Sequence, residues 1–240
     1  MELEKAARGP WSYYYLREME EAGIIHGFMT RTSDAVLREA RLRDALLAAF
    51  SAREMVVMDQ EHGIRVHVVD SGARPRAGDG LVMKEPGVMG IIKTADCVPV
   101  ILCAPSLPAA AIVHAGWRGT AAGIVKVALS AMAGMGVAPS DVTALIGPGI
   151  GPCCYNVGQD VVSAFEASGL GHGIFEERGG LTFLDLKEAN RRLLMGEGVG
   201  RVIDAGLCTS CREDLFYSAR RDKLGGRQMN FVLLAESGAP

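Results

Sequence analysis

Three side chains that can bind a metal or act as catalytic groups stand where apolar runs of this sequence end. Cys97 follows IIKTAD, His114 follows AAAIV, and His62 lies in the glycine-containing turn of DQEHGIRVHVVD. Short apolar runs bounded by Gly and Pro are typical of strands buried on both faces. Functional residues collect where such strands meet loops. We therefore predict that His62, Cys97 and His114 form one site.

Two imidazoles and one thiolate are a recognised catalytic zinc set that leaves the fourth position for water or substrate. Water at that position can titrate near neutrality. The spacings, 35 residues from 62 to 97 and 17 from 97 to 114, match no zinc-finger pattern. A free cysteine is also often a small buried apolar residue. The sequence thus favours zinc by residue type and position rather than by spacing.

The same donor set also describes a blue-copper centre, which needs only a weak axial ligand in addition. A multicopper oxidase requires a further cluster bound largely by histidines, and this chain has five histidines in all. Besides His62 and His114, the remaining ones are His26, His67 and His172, with no His-x-His pair among them. This count argues against a copper-dependent laccase mechanism. We interpret His26 and His67 as structural histidines and His172 as a loop residue.

A third interpretation makes Cys97 a nucleophile activated by a histidine, as in cysteine hydrolases. The neighbouring Asp96 would raise the pKa of the thiol if the two side chains are close. This alternative is less economical than a metal that uses both histidines.

The segment HAGWRGT, residues 114–120, follows a predicted strand and opens a predicted helix. A helix N-terminus attracts anions, and Arg118 adds a guanidinium suited to phosphate. An equally acceptable interpretation is that Gly116 and Gly119 only make the turn.

The other cysteines predict little chemistry. Cys153 and Cys154 are adjacent, so their side chains are expected to point apart, and a structural role is predicted. Cys208 and Cys211 have CxxC spacing, but without a partner pair or a thioredoxin-like context. The role of Cys103 is left open. Among basic residues, Arg220, Arg221 and Arg227 are either surface charge or the rim of a substrate site.

Composition limits the class of protein. The 240 residues are 49% hydrophobic and 22% charged, which excludes disorder as the default, and they suffice for one domain or two small ones. A net charge of −3 lacks the basic footprint of a nucleic-acid binder. Neither an export signal nor a membrane span fits the sequence. We predict a cytoplasmic protein with reduced cysteines and small-molecule partners, as a monomer or small homo-oligomer.

Several elements are predicted from periodicity. Residues 34–50 read as one amphipathic helix capped by Ser33 or Asp34, and Thr120 is expected to cap a helix that ends at Gly134 and Gly136. His62 is placed in a hairpin in which Gly63 permits the turn. Strands and helices intermix without a clean βαβ repeat, which favours an α+β fold with a mixed sheet.

These features together resemble the YfiH-type laccase-domain family, which is also described as polyphenol oxidase-like and as purine nucleoside phosphorylases. The resemblance spans most of the chain and rests on HGFMTR (26–31), Q-x-HG-x-x-V (60–66), GDGLV (78–82), KTADCVPV (93–100), HAGWRGT (114–120), IGPGIGPCCYNVG (146–158), LDL with Asn190, and RRD with Gly226 and Arg227. The chain departs from the family at TSDAV after HGFMTR, where Gly-Gly-Val-Ser is usual, and at Ala219 before RRD. Both departures concern substrate preference.

The resemblance implies a single-domain layered α/β/β/α sandwich with mixed sheets over residues 1–240. It also implies a zinc site on His62, Cys97 and His114. The copper-laccase description belongs to the same family, and the histidine count argues against it. The implied activities are phosphorolysis of adenosine, inosine, guanosine and methylthioadenosine, and deamination of adenosine.

For phosphorolysis, we expect Arg118 and the helix N-terminus at 119–121 to orient phosphate, with Arg31 as a second candidate. For deamination, a proton shuttle is needed, and Asp96 is the candidate. Purine nucleosides and phosphate are the expected partners.

Overall fold

The computed structural model of this chain describes residues 3–37, 39–70, 72, 75, 77–223 and 225–236. The strands are β1 Glu4–Arg8, β2 Trp11–Tyr15, β3 Ile24–Met29, β4 Glu54–Val57, β5 Val66–Val69, β6 Gly80–Met83, β7 Val88–Thr94, β8 Val98–Ala104, β9 Ala109–Ala115, β10 Thr143–Ile146, β11 Asn156–Val157, β12 Phe175–Arg178, β13 Leu181–Leu184, β14 Arg201–Asp204 and β15 Gln228–Leu234. The α-helices are α1 Arg17–Glu21, α2 Ala40–Ala49, α3 Trp117–Ala121, α4 Ile124–Ala133, α5 Gln159–Ala167, α6 Leu186–Gly196 and α7 Ala219–Asp222, and 3₁₀ turns cover Arg31–Leu37 and Pro139–Asp141.

Two six-stranded sheets of mixed direction form the middle of the fold. The first sheet has the order β1-β2-β3-β15-β7-β4, and the second has the order β14-β10-β8-β9-β6-β5. The pairs β4/β7, β5/β6 and β10/β14 are parallel, and the other pairs in these two sheets are antiparallel. A small third sheet, β11-β13-β12, lies outside them.

The buried side chains show how the layers stack. One apolar cluster joins the two sheets face to face, with Phe28 and Ile92 from the first and Ile101 and Ile112 from the second. A second cluster packs the outer face of the second sheet on α4, α5 and α6, and a third packs the outer face of the first sheet on α2. The arrangement is an α/β/β/α sandwich, which confirms the predicted α+β fold with mixed sheets.

Strand β9 shows how the core positions chemistry. Ala111 and Val113 pack in the helix-side cluster, whereas Ala110 and Ile112 pack between the sheets. Because strand side chains alternate between faces, His114 leaves β9 on the same side as Ile112. The prediction that the central apolar runs are strands buried on both faces is confirmed.

Three local predictions are wrong. Residues 34–50 do not form one helix, because the hydroxyl of Ser33 bonds the carbonyl oxygen of Thr30 and Asp34 accepts the N–H of Arg227, so neither residue caps a helix. A 3₁₀ turn forms there instead, and α2 starts at Ala40.

The hairpin around His62 is absent, because β4 pairs with β7 in the first sheet and β5 with β6 in the second. Thr120 lies inside α3 and accepts a hydrogen bond from Asn190, while Gly123 precedes α4. The predicted end of α4 at Gly134 is confirmed.

No helix in the described part of the chain has the length and apolar composition to cross a membrane.

Candidate functional site

The side chains of His62, Cys97 and His114 meet at one point. His62 lies between β4 and β5, Cys97 between β7 and β8, and His114 near the end of β9. Their donor atoms all lie within 4.8 Å of one another, and the two imidazole rings are 4.8 Å apart. The structure thus brings the three predicted residues together, although two of the connections run between different sheets.

The loops that present these side chains hold two residues in the left-handed region. His62 has φ 60° and Asp96 has φ 86°. Such conformations are unfavourable for non-glycine residues and persist only where surrounding contacts enforce them. The left-handed residue of the turn is therefore His62 itself, and the expectation that Gly63 would provide it is wrong.

A carboxylate that the sequence analysis missed, Asp79, enforces the His62 turn. Asp79 is fully buried, and its oxygens accept hydrogen bonds from the backbone N–H groups of Glu61, His62 and Gly63 at 2.7–3.2 Å. It also accepts a bond from Nδ1 of His114 at 2.8 Å. One carboxylate thus holds the His62 turn and sets the imidazole tautomer of His114. Its only sequence signal was the motif GDGLV, in which Asp79 directly precedes β6.

Hydrogen bonding sets the charges in this group. Burial alone would raise the pKa of Asp79, but the bonds from His114 and Gly63 outweigh it and lower that pKa. Burial would likewise raise the pKa of the Cys97 thiol, yet the bonds from His114 and His62 lower it to about 6. For His114, burial would lower the pKa, whereas Asp79 and Cys97 raise it to about 9. At neutral pH the metal-free site is a thiolate beside an imidazolium.

Asp96 lines the cleft, but both oxygens of its carboxylate accept hydrogen bonds from other parts of the chain. Its Oδ1 accepts the hydroxyl of Thr209 and its Oδ2 accepts the backbone N–H of Arg220, both at 2.7 Å. With both oxygens engaged, this carboxylate anchors two distant segments. Its contacts give no support to the expected proton shuttle. The pKa of the adjacent Cys97 thiol is lowered, not raised.

A cleft of about 630 Å³ opens at the three donor residues. Three cations, Lys93, Arg220 and Arg227, lie along it. Tyr155 also lines the cleft, and burial raises the pKa of its phenol to about 12, so the hydroxyl is a proton donor at neutral pH. Of the three arginines interpreted as either surface charge or substrate rim, Arg220 and Arg227 line the cleft and Arg221 does not. Lys93 and Tyr155 were missed, although both lie within family motifs.

The two arginines that were expected to bind phosphate do not line the cleft. Arg118 is exposed and stacks on the Trp117 ring at 4.2 Å, and Arg31 stacks on Tyr217 at 4.6 Å while bonding the carbonyl oxygen of Glu213. Neither is among the residues that line the cleft. The helix does not begin at 119–121 either, because α3 starts at Trp117 and is only five residues long.

The predicted structural histidines have structural contacts. His26 is fully buried and accepts the backbone N–H of Leu16, and His67 bonds the carbonyl oxygen of Ala77. His172 lies in a loop, as predicted.

The remaining cysteines overturn a prediction. Cys153, Cys154, Cys208 and Cys211 place their sulfurs within 4.8 Å of one another. The CxxC pair therefore has a partner pair, and the adjacent cysteines do not point apart, because residues 152–154 form a turn rather than a strand, in which side chains would alternate.

The chain resembles known proteins over most of its length. Residues 27–235 match the family model described as multi-copper polyphenol oxidoreductase laccase. A purine nucleoside phosphorylase of Deinococcus radiodurans is 42% identical over 77% of this chain and 71% of that protein. A protein named adenosine deaminase RL5, from an unknown prokaryotic organism, is 32% identical over 76% of each chain. The crystal structure of YlmD from Geobacillus stearothermophilus superposes with a TM-score of 0.86 and 32% identity, covering 98% of this chain and 99% of that one.

Proposed function

This chain belongs to the family described as multi-copper polyphenol oxidoreductase laccase, and we propose that it is a metal-dependent purine nucleoside phosphorylase. The observation that carries the proposal is the cleft, which combines a His2Cys donor set with three cations. A neutral nucleoside and a phosphate anion are substrates that such a cleft suits. The name of the Deinococcus relative, purine nucleoside phosphorylase, supports the same substrates.

The donor set fits a metal ion, and zinc is the ion that we propose. His62, Cys97 and His114 would hold it, because thiolate and imidazole are ligands zinc prefers and a three-ligand set keeps a position open. Asp79 supports this fit, since a ligating histidine normally donates its other ring N–H to a carboxylate. When bound, zinc would supply Lewis-acid polarisation to a substrate atom.

The cations of the cleft would bind phosphate. We propose Lys93 as the principal contact, because no partner for its ammonium group is found in the described residues and it lines the cleft. Arg220 is held by two bonds to Asn156, at 2.5 and 3.0 Å, and stacks on Tyr155, so it would contribute a fixed positive charge. The earlier candidates Arg118 and Arg31 remain predictions without a place along the cleft.

Other polar groups that line the cleft suit a nucleoside. The phenol of Tyr155 carries its proton at neutral pH and can donate to the leaving purine or to a ribose oxygen. Gln60 bonds both the N–H and the carbonyl oxygen of Lys93 at 2.8 Å, which ties the His62 segment to β7. The neighbouring Asp59 lines the cleft and can accept from ribose hydroxyls.

Deamination of adenosine is the second activity that we propose for this site, supported by the relative named adenosine deaminase RL5. It would use the same donor set and the same cleft. The two reactions differ in the products that they release from adenosine.

A hydrolase that uses Cys97 as its nucleophile is a competing proposal, and one specific observation supports it. Cys97, His114 and Asp79 are linked in the order thiolate, imidazole, carboxylate, which is the order of a catalytic triad. A copper-dependent oxidase ranks lower, because it needs a second cluster of histidines. In the described part of the chain, His62 and His114 are the only histidines in a potential metal site.

The decisive experiment incubates the purified chain with adenosine, with and without phosphate, and identifies the products. Adenine formed only with phosphate supports phosphorolysis, and inosine formed in either case supports deamination. Loss of turnover with a chelator and recovery with zinc supports the metal. Retention of full activity in metal-free chain, with loss on iodoacetamide treatment, would favour the hydrolase instead.

A further inference from the structure

Four cysteines outside the cleft converge from two distant loops. Cys153 and Cys154 lie in the loop between β10 and β11, and Cys208 and Cys211 lie in the segment after β14. Cys211 Sγ is 3.4 Å from the sulfurs of both Cys153 and Cys154, and all four sulfurs lie within 4.8 Å of one another. Neither the proposed reaction nor the His62 site uses any of these residues.

We propose that these four cysteines bind a second metal ion, a structural zinc. Zinc binds four thiolates tetrahedrally at ~2.3 Å, a geometry that separates the sulfurs by about 3.8 Å. Two of the sulfur–sulfur distances are 3.4 Å and all are within 4.8 Å, so small side-chain rotations would complete the site. The backbone N–H of Gly151 donates a hydrogen bond to Cys208 Sγ at 3.2 Å. Hydrogen bonds of this kind commonly orient metal ligands.

The geometry favours a single ion over two other uses of four cysteines. An iron–sulfur cube holds its cysteine sulfurs farther apart than one ion does, whereas these sulfurs are nearly in contact. Two disulfides would use the sulfurs in pairs, but Cys211 is equidistant from Cys153 and Cys154. Two of the four thiols are exposed, which is unfavourable for free cysteines but normal for the edge of a zinc site.

The position of this second site gives it a role. Tyr155 follows Cys154 and lines the cleft, and Thr209 follows Cys208 and donates to Asp96, the residue before Cys97. An ion on the four sulfurs would cross-link the Tyr155 loop to the segment that anchors Asp96. We infer that it positions both walls of the cleft without touching substrate.

The experiment measures the zinc content of chain that is purified without added metals or chelators. We expect two zinc ions per wild-type chain, one in Cys208→Ser/Cys211→Ser, and one in His62→Ala/His114→Ala. The control variant Cys103→Ala, which changes a buried cysteine outside both clusters, should keep two.

Cobalt substitution of His62→Ala/His114→Ala supplies an independent readout, because that variant keeps all four cysteines of the second site. A tetrahedral all-thiolate spectrum is expected, so the inference stays testable even if Cys208→Ser/Cys211→Ser does not fold. Absence of bound zinc or cobalt in His62→Ala/His114→Ala, iron in place of zinc, or a mass showing disulfides among these cysteines would each overturn it. These outcomes are separate from the nucleoside assay, which reports on the His62 site.

Discussion

The carboxylate of Asp79 accepts a hydrogen bond from Nδ1 of His114 at 2.8 Å while its oxygens also receive three backbone N–H groups of the His62 turn. A single buried anion therefore fixes two of the three donor groups. This relationship couples the fold of one loop to the orientation of a side chain on β9. Substitutions at Asp79 should therefore affect metal binding and loop order together.

We predict that Asp79→Asn weakens zinc binding at the His62 site by about 10- to 100-fold, the usual effect of losing the carboxylate partner of a ligating histidine. The asparagine has the same shape, but its NH2 group would face backbone N–H donors. Zinc affinity is measured by competition with a chromophoric chelator. Asp59→Asn, which alters another carboxylate of the cleft, is the control, and equal effects of the two changes would contradict the proposed coupling.

Proton release should accompany zinc binding at the His62 site. In the metal-free chain the pKa of Cys97 is about 6 and that of His114 is about 9. Between these pH values the thiol is already deprotonated while His114 carries a proton that zinc must displace, so affinity should rise with pH up to about 9. Calorimetry in buffers of different ionisation enthalpy should show about one proton released at pH 7.5.

This titration is best performed on Cys208→Ser/Cys211→Ser, in which only the His62 site is expected to bind zinc. Affinity independent of pH between 7 and 9 would contradict the ion-pair description of Cys97 and His114.

Lys93 and Arg118 provide a matched test of where phosphate binds. We predict that Lys93→Gln raises the phosphate KM by about 10- to 100-fold, because a charge-assisted hydrogen bond contributes ~1.5–3 kcal/mol. Arg118→Gln should change it little, since Arg118 is exposed and stacks on Trp117. Initial rates over a range of phosphate concentrations at saturating adenosine decide the matter. The reverse ranking would restore the assignment made from sequence.

The sequence was sufficient for the strand core and for the three donor residues, because buried strands leave long apolar runs and polar groups at their ends stand out. It was insufficient for the connections. β4 and β5 each look like half of a hairpin, and nothing in their periodicity tells that they pair with β7 and β6 in different sheets. Asp79 was overlooked because a lone aspartate between two glycines also fits an ordinary turn.

The four-cysteine cluster was missed for a related reason. Zinc sites of four cysteines are usually recognised from two CxxC pairs, whereas here one pair is adjacent and 53 residues lie between Cys154 and Cys208. The sulfurs of the adjacent Cys153 and Cys154 lie on the same side of the chain because residues 152–154 form a turn. The helix expected over 34–50 does not form because Ser33 accepts the N–H of Met229 and Asp34 that of Arg227, and these groups are close only in the folded chain.

His26 should make stability depend on pH. Burial lowers its pKa from 6.5 to about 4, while Nε2 accepts the N–H of Leu16 and Nδ1 bonds the carbonyl oxygen of Ile24. As pH falls below 6.5 the unfolded chain gains a proton that the folded chain refuses until about 4. Stability is therefore lost across this window, by about 2 kcal/mol at pH 5.

The measurement compares urea unfolding of wild type and His26→Gln at pH 8 and pH 5. Glutamine can keep both hydrogen bonds but does not titrate, so its stability should fall by about 2 kcal/mol less than that of wild type over this range. Parallel pH profiles would show that His26 is not the titrating group.

Gly116 tests how tightly the donor atoms are packed. A Cβ at this position would lie 3.2 Å from Cys97 Sγ and 3.3 Å from Cδ2 of His62, whereas the backbone conformation, φ −71° and ψ 168°, suits alanine. Gly116→Ala should therefore leave the backbone unstrained but push the thiolate and imidazole apart. We expect zinc affinity to fall about tenfold or more, since overpacking costs ~1–3 kcal/mol. Gly196→Ala, where nothing lies within 4 Å of the added carbon, is the control. If both variants bound zinc like wild type, the site would be looser than these distances indicate.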